Sequence, residues 1–302
     1  MEAMSEGKLK TVETAELRIA YIEYGAADGW PVILSHGFPY DVHAFTDVAN
    51  TLSRAGARVI TPYIRGFGPT RFLSDTAMRS GQQAARGRDL LQLADALALD
   101  RPILGGFDWG GNASCVAAAL WPQRFAGLVS YAGYDIIDIA GQSRPALPSL
   151  ERVCWYQHLF QSERGRQCLS QNRRDLRRIL WRDWSPGWEF DEDTFARSAE
   201  AFENPDFVDV VIHCYRHMFG NEAGDPELQA FEDLLAQKPV IAIPTVTLDG
   251  TTDPLKPGGT ASHARMFTGA YEHRVVDAGH NLPQQAPGPF ADAVRTVLSL
   301  SS

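Results

Sequence analysis

The 302 residues include only four cysteines, Cys115, Cys154, Cys168 and Cys214, and no two form a C-x-x-C pair. A disulfide scaffold and a cysteine-based zinc site are therefore not expected, and the thiols read as free. Positive charge is also in deficit, with 28 Lys and Arg against 37 Asp and Glu and a formal net charge of −9. A general nucleic-acid binder needs a basic face, so that class of partner is excluded. The one dense basic run, Arg173, Arg174, Arg177 and Arg178, has helical spacing and reads as a solvated helix face. Long apolar runs are missing too, and the opening stretch MEAMSEGKLK is polar, so neither a membrane segment nor a signal peptide is expected and a cytoplasmic location is. His213 and His217 stand four apart, as on one helix face, but lack the Glu of an H-E-x-x-H motif. No metal and no cofactor are expected. No internal repeat or low-complexity tract is visible.

What is present is an alternation of buried-strand runs and helical patterns, which predicts βα units and a mostly parallel sheet. Strands are expected at Pro31–Ser35, Ala57–Thr61, Pro102–Gly106, Ala126–Tyr131, Val240–Leu248 and His273–Val276. Helices are expected near His43–Arg54, Gly81–Leu97, Ala113–Trp121 and Phe290–Leu300. From about Ile137 to Lys238 the rhythm changes to helical periodicity rich in Arg and Trp. The expected organisation is thus an α/β core from 1–136 and 239–302, with a helical cap at 137–238 over the C-terminal edge of the sheet. Open α/β sheets place their ligand sites at that edge.

Gly106-Phe107-Asp108-Trp109-Gly110 falls between a predicted strand and a predicted helix. In G-x-S-x-G hydrolases that tight turn projects the nucleophile from the sheet; here Asp108 stands where Ser would. The competing reading is a plain helix N-cap. The substitution changes the chemistry. A serine attacking a saturated carbon would leave an ether, whereas a carboxylate leaves an ester, whose carbonyl activated water can attack. Epoxide opening and halide displacement are the two evident cases.

The expected chain order is nucleophile, acid, histidine. Asp253, in Leu248-Asp-Gly-Thr-Thr-Asp253, and His280, in Ala278-Gly-His280, each follow a predicted strand. His280 would activate water and Asp253 would orient it. Asp249 competes for the acid's place but belongs to the strand end, and Asp277 lies too close to His280 in sequence. His36-Gly37-Phe38-Pro39 follows the first strong strand. It offers the Phe38 N–H, with the Trp109 N–H, as an oxyanion hole, while His36 itself reads as a structural hydrogen-bonder beneath the loop.

In this order the elements resemble the α/β-hydrolase superfamily over nearly the whole chain. The Asp elbow and the HGFP segment resemble its epoxide hydrolase and haloalkane dehalogenase branches. Trp155-Tyr156-Gln157-His-Leu-Phe160 and His213-Cys-Tyr215-Arg216 resemble the two lid-tyrosine segments of epoxide hydrolases. The resemblance implies that Tyr156 and Tyr215 hold the epoxide oxygen, and that Phe38, Trp109, Trp155 and Gln157 meet a small apolar substrate. It implies hydrolysis of an epoxide to a vicinal diol, with haloalkane or haloacid dehalogenation as the alternative. A third reading is a non-catalytic ligand-binding protein. Family members commonly carry an acid shortly before the R-G-x-G segment; Tyr63 in that neighbourhood is a departure that implies a divergent subgroup. Monomer and dimer are both left open.

Overall fold

The structure is a computed structural model describing residues 7–301. A nine-stranded sheet forms its centre, in the order β1-β2-β4-β3-β6-β7-β8-β9, with β5 pairing β2 off the main path. The strands are β1 (Lys8–Glu13), β2 (Leu17–Tyr24), β3 (Trp30–Ser35), β4 (Ala57–Pro62), β5 (Arg71–Phe72), β6 (Ile103–Gly106), β7 (Gly127–Tyr131), β8 (Thr245–Gly250) and β9 (Tyr271–Val276). From β4 to β9 all neighbours are parallel, while β2 pairs antiparallel with β1, β4 and β5. The parallel strands β3, β6 and β7 are buried almost throughout, which is why they read as continuous apolar runs.

Around the core strands lie α1 (Thr46–Arg54), α2 (Gln83–Ala96) and α3 (Trp109–Leu120). Between β7 and β8 the described residues form helices only: α4 (Pro148–Val153), α5 (Trp155–Leu159), α6 (Glu163–Gln171), α7 (Arg173–Trp184), α8 (Glu192–Ala199), α9 (Phe207–Met218) and α10 (Gln229–Ala236), with short 3-10 turns. After β9 come α11 (Leu282–Gln285) and α12 (Pro287–Leu300), whose apolar face covers β7 and β8.

One element is added and two expectations are corrected. The β1–β2 hairpin went unread, because β1 is solvent-exposed along most of its length and carries no apolar periodicity. The expected strand Val240–Leu248 begins only at Thr245, after Pro244, which has no N–H to give a ladder; before it, Ile241 makes an isolated bridge to Phe267. The strand then runs on through Asp249 and Gly250, paired with Val275 and Val276. Finally, the basic run on α7 is not one solvated face. Arg177 is fully buried, its guanidinium lying 4.1 Å from the Trp181 ring centre and 4.5 Å from that of Phe202. A flat guanidinium stacks on aromatic faces as a compact ammonium does not, and burial lowers its pKa to about 9. Arg178 does face outward, paired with Glu192.

The chain leaves β3 for β4 on one side, then returns past β3 to β6 on the other. Reversal of strand order opens a crevice at the C-terminal ends of β3 and β6. Two glycines let the backbones close around it. A Cβ on Gly110 would lie 1.9 Å from the Ser35 carbonyl oxygen, and one on Gly37 would lie 2.2 Å from Asp108 Oδ1. Gly110→Ala is therefore expected to destabilise the fold by at least the about 1–3 kcal/mol typical of overpacking, whereas Gly288→Ala, with nothing within 4 Å of the added carbon, is expected to be neutral. Thermal unfolding of the two variants checks this.

Candidate active site

Asp108 occupies the turn between β6 and α3 with φ +52°, a left-handed conformation that L-residues seldom adopt. Its side chain is held on both sides. Oδ1 accepts the backbone N–H of Phe38 and of Trp109, each at 2.7 Å. Oδ2 lies 3.3 Å from His280 Nε2. Asp108 thus caps α3 with one oxygen and presents the other to His280. The N-terminal end of α3 adds a favourable dipole for a carboxylate.

His280 Nδ1 lies 2.9 Å from Asp253 Oδ2. Burial alone would lower the His280 pKa, but the Asp253 charge and hydrogen bonds to Asp108 and Asp253 outweigh it and push the value up to about 10. The resting ring is therefore held as an imidazolium against Asp253. Burial opposes ionisation of Asp253 as well, yet the His280 charge, the Leu255 N–H at 2.8 Å and the Tyr131 hydroxyl at 2.8 Å hold its pKa below the ordinary value. Tyr131, at the end of β7, was not anticipated, because it stands 122 residues from its partner. Asp249 is turned away from His280 and accepts the Thr260 hydroxyl at 2.7 Å.

The His280 backbone N–H donates to the Trp184 carbonyl at 2.9 Å, and Asn281 N–H to Ser185 Oγ at 3.1 Å. The C-terminal end of α7 thus fixes the histidine loop. The Trp181 indole in turn donates to the Pro39 carbonyl at 2.9 Å, next to Phe38. His36 is buried and neutral, its pKa lowered to about 4 chiefly by burial, with Nδ1 at 3.1 Å from Gly37 O and Nε2 at 3.4 Å from the Ile64 N–H. His213 uses both ring nitrogens on backbone groups of Gly81 and Ala223.

A cavity of about 350 Å³ opens over Asp108 and His280 and is bordered by Trp109, Tyr156, Gln157 and Tyr215. The Tyr156 and Tyr215 rings meet edge-on with centres 5.3 Å apart. Gln157 Nε2 donates to Tyr156 Oη at 2.9 Å, which leaves the Tyr156 proton for another acceptor. Burial foremost, with the Asp108 charge adding, raises both phenols well above their ordinary pKa, so both stay protonated. Phe38 and Trp155 are placed differently. Phe38 is fully buried behind the wall, stacked on Trp109 and Tyr156, and only its N–H reaches the site; Trp155 packs edge-on against Tyr156. Neither side chain borders the cavity.

Two features were missed by sequence reading. Arg86, on α2, lies under the Trp109 ring at 4.8 Å and donates to Asn112 Oδ1 at 2.9 Å, steadying the first turn of α3. The cavity also has a polar flank, Asp135, Asp138, Gln142 and Lys256, which a purely apolar ligand would leave unused. Neither carries a local motif. Among the described residues no cluster of His, Cys, Asp and Glu suits a metal ion, and no helix is long and apolar enough to cross a membrane.

Residues 31–287 match the family described as alpha/beta hydrolase fold. Among solved structures, a candidate epoxide hydrolase from Klebsiella pneumoniae is 41% identical, superposes with a TM-score of 0.94, and is matched over 96% of this chain and 97% of its own. Among curated proteins, an epoxide hydrolase of Caballeronia sordidicola is 32% identical over 114 residues, 38% of this chain and 33% of its own length. A haloalkane dehalogenase of Psychrobacter cryohalolentis is 35% identical over 115 residues, 38% of this chain and 37% of its own. The match thus spans about a third of those two curated relatives. With the parallel sheet, the elbow and the strand-end placement of Asp253 and His280 in hand, the chain belongs to the α/β-hydrolase fold family, as an epoxide hydrolase-like member.

Proposed function

We propose that the protein opens epoxides to vicinal diols through an ester on Asp108, with residues 137–238 serving as the cap that encloses the reaction. The observation that carries this reading is the pair of buried, protonated phenols, Tyr156 and Tyr215, bordering the same cavity as Asp108. Opening an epoxide generates a strongly basic alkoxide, and a positioned O–H donor lowers the cost of forming it.

The two oxygens of Asp108 divide the work. Oδ1 is pinned by two N–H groups, so Oδ2 attacks the epoxide carbon as the carbon–oxygen bond breaks. The emerging alkoxide takes a proton through the tyrosines, and the His280 imidazolium makes good that proton. Loss of the Asp108 charge favours this, because that charge helps keep His280 protonated. Neutral His280 then removes a proton from water as the water oxygen adds to the ester carbonyl. Charge develops on Oδ1, already held by the Phe38 and Trp109 N–H groups, where preorganised donors are most effective. Collapse expels the diol's oxygen, which takes up the carboxyl proton. Asp108 returns as carboxylate and His280 as imidazolium, so the cycle closes without a co-reactant.

Halide displacement is the second reading, favoured by Trp109, whose indole borders the cavity. A departing halide needs no proton, and this separates the two. Tyr156→Phe/Tyr215→Phe is expected to lose about 10²–10⁴-fold in epoxide opening, the usual worth of general-acid help, and far less in halide release. Near wild-type diol formation by that variant would sink the epoxide reading. His280→Gln is expected to form the ester more slowly, with solvent making good the tyrosine proton in place of the imidazolium, and then to stall for want of the base. Intact mass should rise by one substrate, and peptide mapping should place the label on Asp108; an unlabelled variant, alongside an active wild type, excludes the covalent route.

A further inference from the structure

The polar flank of the cavity has no task in ring opening. Lys256 follows the Asp253 turn, and its Nζ lies 3.0 Å from Asp135 Oδ1. Both residues border the cavity that holds Asp108, and their side chains remain 34% and 22% exposed. The position of Asp135 is fixed from behind. Asn112 Nδ2 donates to its backbone carbonyl at 2.7 Å, and the Gln83 carboxamide accepts the Ile137 N–H at 2.9 Å. Asp138 is already engaged by Lys238 at 2.6 Å. Besides the Gln142 carboxamide, what the flank offers a ligand is therefore the Lys256 donor and the Asp135 acceptor side by side, on a preorganised support.

The charges decide which ligand group fits. The Asp135 charge foremost keeps Lys256 protonated, so the pair is a cation and an anion of no net charge. A carboxylate placed there meets Asp135 and an ammonium meets Lys256, and either is repelled by one member of the pair. An alkyl end would leave both ions partly desolvated with nothing in exchange. A hydroxyl can accept from Lys256 and donate to Asp135 at once. Building on the epoxide reading, we propose that the substrate is an epoxide bearing an uncharged hydroxyl arm, and that the Lys256–Asp135 pair is its specificity determinant.

The test uses the whole protein and a terminal hexyl epoxide whose far end is methyl, hydroxyl, carboxylate or ammonium. The hydroxyl compound is expected to exceed the methyl one in kcat/KM by about tenfold, the worth of one charge-assisted hydrogen bond, and to exceed both charged analogues. In Lys256→Met the carboxylate of Asp135 is left unbalanced, and the preference is expected to move to the ammonium. In Asp135→Asn the ammonium of Lys256 is left unbalanced, and the preference is expected to move to the carboxylate. Calorimetric binding of the matching diol and triol products, read without turnover, gives the same comparison. A methyl or carboxylate preference in the unaltered protein, or a hydroxyl that still outranks the ammonium in Lys256→Met, overturns the inference. Tighter triol binding that depends on Lys256, with no epoxide turned over, would keep the subsite and discard the epoxide reading instead.

Discussion

The constraint on which the site depends is the double grip on one carboxylate oxygen. Asp108 Oδ1 sits between two backbone N–H groups at 2.7 Å, one from the loop after β3 and one from the first residue of α3. That geometry requires the left-handed turn at Asp108, and a backbone approach so close that Gly37 and Gly110 cannot carry a side chain. It also requires β3 and β6 to be neighbours, which the switch in strand order supplies. Backbone strain of this kind, of order 1–3 kcal/mol, persists only where its surroundings over-determine it. Here the surroundings are a nine-stranded sheet and the buried helix α3.

Legibility in the sequence followed locality. Asp108, Asp253 and His280 each stand just past a strand, so the apolar run points to the candidate that follows it, and the HGFP loop is read the same way. Sequence reading failed where the meaning of a residue lies far along the chain. Tyr131 gains its role only beside Asp253, and Arg86 only beneath Trp109. The Lys256–Asp135 pair joins residues 121 apart. Arg177 shows a different failure. Its spacing was read correctly as helical, but spacing alone does not tell which arginine of a run turns inward to stack on aromatic rings. The outer strand β1 escaped because an exposed strand needs no apolar alternation.

Electrostatics ties these parts together. His280 and Asp253 lie in a largely buried place, and burial alone would disfavour the charge on each. Together they hold one another ionised, with His280 at about 10 and Asp253 below its ordinary range. Removing the His280 charge would leave the burial of Asp253 without that compensation, so His280 also has a structural share in the ionisation of the site.

The hydrogen bond from the His280 backbone to Trp184 has a consequence for motion. The inserted helices are not a flap hung over a finished site, because α7 bolts both the histidine loop, through Trp184 and Ser185, and the loop carrying Phe38, through Trp181. A rigid-body swing that lifted α7 would undo the catalytic geometry in the same stroke. The part of the cavity border formed by the segment between β7 and α5, with Ile137, Gln142 and Leu150, carries neither of these bonds. The inserted helices and the shape of the site are thus one piece of architecture, not two.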